Sequence, residues 1–175
     1  MKLNAQGWFS GVRKVASPNF DARPPQMPVC LLIIHSISLP PGNFGGEGVE
    51  QLFTNTLNSE EHPYYEQLRG LKVSSHFFIR RNGEIVQFVS CLHRAWHAGQ
   101  SLWQGRTRCN DFSIGIEMEG SDFVPFEDLQ YRSLSKLTRC LQRTYRFSGI
   151  VGHADVAPGR KTDPGPFFDW GRYLK

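Results

Sequence analysis

The stretch VCLLIIH at 29–35 is apolar and rich in branched side chains, which predicts a strand buried on both faces and ending at His35. SLPPGNFGGEG at 38–48 is broken by Pro and Gly and holds no regular pattern, and a short amphipathic helix is expected around 49–54. Two apolar runs, at 75–80 and from Glu84 onward, flank Arg81, Asn82 and Gly83, the signature of a hairpin turning on Asn-Gly. DFSIGIEMEG alternates, with Phe112, Ile114, Ile116 and Met118 on one face and Ser113, Gly115, Glu117 and Glu119 on the other. Between 127 and 145, Leu134, Leu137, Leu141 and Tyr145 recur every three or four residues, which predicts one long helix packed on a sheet. GIVGH then predicts a short strand before a proline-rich loop.

Residues 1–28 show no sustained period and read as an irregular arm wrapped on the rest. The order strand, helix, hairpin, strand, helix, strand predicts one α/β domain over 1–175, a mixed central sheet flanked by helices. No repeat or linker interrupts it. There is no apolar stretch long enough to span a bilayer, and MKLNAQGWFSGVRK lacks the apolar core of a secretory leader, so a cytoplasmic protein without a membrane partner is expected. Cys30, Cys91, Cys109 and Cys140 form no CxxC pair, which argues against a thiolate zinc knuckle and for buried thiols. The net charge of +4 suits an anionic partner, yet the 20 basic residues are interspersed with 16 acidic ones. That balance fits a small carboxylate-bearing ligand. A nucleic-acid binder is not indicated, because no helix clusters arginine. A monomer is expected.

Six histidines are available for metal chemistry: His35, His62, His76, His93, His97 and His153. His35 and His153 each close a predicted buried strand where it opens into a loop, so they converge if those strands are neighbours. Asp163 precedes Pro164, which disfavours helix, and in extended chain Lys161 would share its face and set an ammonium beside the carboxylate. Two His and one Asp make an open tetrahedral zinc site, with the fourth position left for water or a carbonyl. Such a site needs a proton carrier. Glu117 is the better placed, with Glu119 as its rival. The competing metal pair is His93 with His97, four apart as on a zincin helix, but the zincin Glu is missing and Gly99 favours a loop. His76 and His62 read as structural or substrate-side groups.

HSISLPPGNFGG, RAWHAG, NDFSIGIEMEG and GHADVAPGRKTDPGP, in this order, resemble the AmpD branch of the N-acetylmuramoyl-L-alanine amidases, whose wider family includes the peptidoglycan recognition proteins. The resemblance runs from about Gly7 to Tyr173. It implies a zinc enzyme that cleaves the bond between the lactyl group of 1,6-anhydro-N-acetylmuramic acid and L-alanine in recycled wall fragments. It also implies that His35, His153 and Asp163 hold Zn2+, that Glu117 and Lys161 are catalytic, and that Tyr64, Trp96, His97 and Arg108 contact a muropeptide. Ser36 and Lys72 stand where that branch commonly carries Asn and Arg. Ser offers one hydroxyl where an amide offers a separate donor and acceptor, and Lys cannot form the bidentate carboxylate fork of Arg, so both departures bear on substrate preference. A binding module of the same fold is the rival, and such relatives often lack a metal ligand.

Overall fold

The computed structural model describes residues 1–175. Ten strands form: β1 Arg13–Lys14, β2 Phe20–Ala22, β3 Leu31–Ile37, β4 Phe77–Ile79, β5 Ile85–Gln87, β6 His93–Ala95, β7 Leu102–Trp103, β8 Arg106–Thr107, β9 Ser113–Glu119 and β10 Gly149–Gly152. The helices are α1 Gly48–Thr54, α2 Pro63–Glu66, α3 Asp128–Gln142, α4 His153–Val156 and α5 Trp170–Tyr173. Six strands make the main sheet in the order β1-β5-β4-β9-β3-β10, parallel except for the β4–β5 hairpin. This is the expected α/β architecture with a mixed central sheet.

The central strands are buried on both faces, as their composition requires. On one face Leu32, Ile34, Ile114 and Ile116 meet Leu134, Leu137 and Leu141 of α3, all fully buried, at roughly 1.5–3 kcal/mol of burial for each such side chain. A capping box of Glu127 and Gln130 starts α3, and the Gln130 amide also donates to the carbonyls of Ile79 and Glu119, which ties the helix to β4 and β9. The opposite face is only partly covered. Leu52 and Phe53 of α1 pack with Phe78 and Val86, while Val156 of α4 packs with Leu31 and Ile33.

Several expectations shift. β3 does not end at His35 but continues to Ile37, because β9 pairs with it as far as Glu119. Phe112 leaves the alternation of its strand: it sits at the end of a 3-10 turn, Cys109–Asp111, and packs with Leu31 and Ile33 instead. α3 stops at Gln142, so Tyr145 reaches the core from the following loop. The hairpin takes positive φ only at Gly83, behind a turn closed by the Gly83 amide donating to the Arg80 carbonyl. Within residues 1–28, β1 extends the main sheet and β2 pairs with β6.

Candidate functional site

Residues aligned across neighbouring strands project from the same face. His35 of β3 lies opposite Glu117 of β9, and His153 follows Gly152, which lies opposite Ile34. The sheet thus sets His153, His35 and Glu117 in one row on the partly covered face. Asp163 returns to this row after α4, held where its carbonyl accepts the Ala154 amide at 2.9 Å.

Three donor atoms meet there. His35 Nδ1 lies 3.0 Å from His153 Nδ1 and 3.2 Å from Asp163 Oδ2, and His153 Nδ1 lies 3.0 Å from that oxygen. Burial depresses the His35 imidazole to about 4, against the raising effect of Asp163. Burial alone would raise Asp163, but hydrogen bonds from His153 and His35 outweigh it and hold the carboxyl well below its ordinary range. A neutral imidazole and an ionised carboxylate are the ligand forms a cation requires. With an ion bound, the outer Nε2 of His153, 3.2 Å from the Ala98 carbonyl, has an acceptor for the ring proton, which would leave Nδ1 as a lone pair. Without an ion the Nδ1 protons can be donated to Asp163, and with a cation among them the three atoms present lone pairs to it. Donors about 2.0–2.1 Å from a tetrahedral ion sit roughly 3.3 Å apart, so this triangle is of the size zinc needs.

Glu117 is the neighbouring acid. Its Oε1 lies 3.9 Å from His35 Nδ1, while Oε2 is buried with no hydrogen-bond partner. Burial first, and then the charge of Asp163, push its pKa well up, with Lys161 opposing. Lys161 is exposed on the wall of the cleft and forms no ion pair with Asp163, contrary to the expected contact. The rival acid is excluded from proton transfer: the Glu119 carboxylate accepts the amides of Gly45 at 2.5 Å and Arg81 at 2.8 Å. It anchors the tip of the 38–48 loop. Glu119→Gln replaces one acceptor with an amide that faces an N–H, and the loss of a hydrogen bond to a charged group, about 1.5–3 kcal/mol, should lower the melting temperature in a thermal unfolding scan.

The row opens into a cleft of about 670 Å³, lined by Ser36, Tyr64, Trp96, His97, Glu117 and Lys161 among others. Leu52, Phe53, Leu68 and Val73 give it an apolar wall. Lys72 lies instead in an adjoining hollow of about 180 Å³ that shares Leu52, Leu68 and Leu71 with the cleft. Arg108 lies outside both and pairs with Asp111 at 3.3 Å. His93 is on a strand and stacks on Phe20, so it forms no helical pair with His97. His76 is fully buried, its Nδ1 accepting the Gly115 amide, and His62 caps α2. Sequence reasoning missed Arg160, Thr162 and the 121–123 segment on the cleft wall. The signal was available, since both loops follow the carboxyl ends of parallel strands.

Residues 25–166 match the family model described as N-acetylmuramoyl-L-alanine amidase. The chain is 52% identical to the 1,6-anhydro-N-acetylmuramyl-L-alanine amidase AmpD of Escherichia coli K12, across 98% of this chain and 94% of that protein. The AmpD of Haemophilus influenzae is 49% identical, across 97% and 94%. A crystal structure of a selenomethionine AmpD derivative superposes with a TM-score of 0.97 at 50% identity, covering 99% of this chain and 98% of that one. AmiD from Escherichia coli, solved with the substrate anhydro-N-acetylmuramic acid-L-Ala-D-gamma-Glu-L-Lys, superposes at 0.59 with 31% identity, covering 91% of this chain and 58% of that one. With a matching family model over most of its length and full-length relatives at half identity, this chain belongs to the N-acetylmuramoyl-L-alanine amidase family.

Proposed function

We propose that the chain is a zinc-dependent amidase that hydrolyses the bond between the lactyl group of 1,6-anhydro-N-acetylmuramic acid and the L-alanine of the stem peptide, in the recycling of cell-wall fragments. The observation that carries this reading is the His35, His153 and Asp163 triangle beside an unpartnered buried acid, Glu117, in a cleft of ligand size. The names of the full-length relatives supply the anhydromuramyl substrate. A free muropeptide and a monomeric, cytoplasmic enzyme complete the proposal. Four unpaired cysteines suit a reducing compartment, and no helix is long and apolar enough to cross a membrane.

His35, His153 and Asp163 would hold the ion, which when bound supplies Lewis acidity toward a carbonyl and a nucleophile at neutral pH. Glu117 takes the proton of the attacking water on its free carboxylate oxygen and delivers it to the alanine nitrogen, a leaving group too basic to depart unprotonated. The buried setting that raises its pKa keeps that proton long enough to pass it on. Lys161 stabilises the negative charge that develops on the lactyl oxygen. Lys161→Ala should reduce kcat by ~10²–10³-fold while zinc stays bound, read by steady-state kinetics and metal analysis together. Wild-type turnover in that variant would remove Lys161 from the mechanism.

The test is peptide release from an anhydromuropeptide, followed by chromatography before and after chelation. Activity should vanish with the chelator and return with zinc; full activity in the chelated protein would overturn the zinc reading. A reducing-end muropeptide assayed alongside should be cleaved more slowly, and equal rates would remove the anhydro preference.

A further inference from the structure

We propose that His97 is a positioning residue for the metal ligand His35 and not a contact for substrate. This rests on the zinc reading above. His97 lies 8% exposed beneath His35, and both its ring nitrogens are engaged inside the protein. Its Nδ1 meets His35 Nε2 at 2.9 Å, and its Nε2 meets the hydroxyl of fully buried Ser113 at 3.2 Å. With the facing nitrogens at 2.9 Å and the centroids 5.0 Å apart, the two imidazoles meet edge to edge, twisted 89° from one another.

This chain has one consistent proton order. If His35 Nδ1 is to offer a lone pair to the triangle, its proton must sit on Nε2 and be donated to His97 Nδ1. His97 must then carry its own proton on Nε2 and donate it to Ser113. One tautomer fixes the next, and the ligating nitrogen is left bare. A substrate group approaching through the cleft finds neither nitrogen of His97 free.

The strand beneath is shaped for this ring. A Cβ on Gly115 would stand 2.6 Å from His97 Cγ and 2.6 Å from Nδ1. Glycine between Ser113 and Glu117 therefore opens the space in which His97 lies against β9. His76 closes the other side, its ring 5.7 Å from that of His97 and its own Nδ1 occupied by the Gly115 amide.

His97→Phe keeps the ring and removes the acceptor, whereas His97→Gln keeps an acceptor oxygen. The experiment measures zinc affinity by competition with a chromogenic chelator, and kcat and KM for an anhydromuropeptide at saturating zinc. For His97→Phe we expect zinc affinity to fall about 10–100-fold with KM unchanged, and for His97→Gln a loss of only a few-fold. Gly115→Ala, which displaces the ring without altering its chemistry, should weaken zinc in the same direction. Unchanged zinc affinity with a raised KM in His97→Phe would overturn the positioning role alone. A wild-type protein that takes up no zinc would overturn the metal reading and this inference with it.

Discussion

Glu117→Gln should lower kcat by about 10²–10⁴-fold and leave zinc content unchanged, because the substitution removes proton transfer but none of the three donors. The same change should stabilise the zinc-free protein at neutral pH. The folded pKa of Glu117 is raised above its usual 4.5, so the unfolded chain ionises first. Its contribution to stability is whole below about pH 4.5 and is lost as pH rises toward the folded value. Thermal melts of chelated wild type and Glu117→Gln should therefore diverge with rising pH, the variant melting higher. Melting curves that stay parallel from pH 4 to 8 would contradict the burial argument, and retained turnover would contradict the proton-carrier role.

Asp163→Ala should lose both metal and activity. Asp163 Oδ2 lies within 3.2 Å of both histidine Nδ1 atoms, and its charge is the only negative one in the triangle. Zinc affinity should drop on the order of 10²-fold or more, and peptide release should fall to background at ordinary zinc concentrations. The stability effect has the opposite sign to that of Glu117→Gln. The folded pKa of Asp163 lies below its usual 3.8, so its hydrogen bonds stabilise the protein above that pH and the benefit is lost as pH falls through the folded value. The zinc-free variant should melt below zinc-free wild type at neutral pH. Zinc retained at wild-type affinity would exclude Asp163 as a ligand.

The central strands were legible because burial on two faces leaves a continuous apolar record, as in LLII of β3, and because alternation in β9 separates Ile116 from Glu117. Of the candidate ligands, His153 was legible at a strand's end, His35 lies two residues before the end of its strand, and Asp163 was marked by its place before Pro164. What stayed hidden depends on register and on loops. That β3 lies between β9 and β10 is a long-range pairing no local pattern encodes, yet it alone brings His35 beside His153 and Glu117. The same limit explains Glu119, which shares the polar face of Glu117 but is captured by the amides of two distant loops. Lys72 and Arg108 carry charge that suits a substrate, and only the path of their loops places them off the cleft.

His35 and His153 are 118 residues apart, and Asp163 follows ten residues later. A growing chain offers an ion a single histidine of the set until β10 and the residue after it are made, and the β3–β10 pairing must close before the donors meet. Capture of an ion by this triangle would therefore follow that pairing. A fragment lacking β10 and the segment after it would hold no triangle, so metal loading would report that β10 has closed on β3.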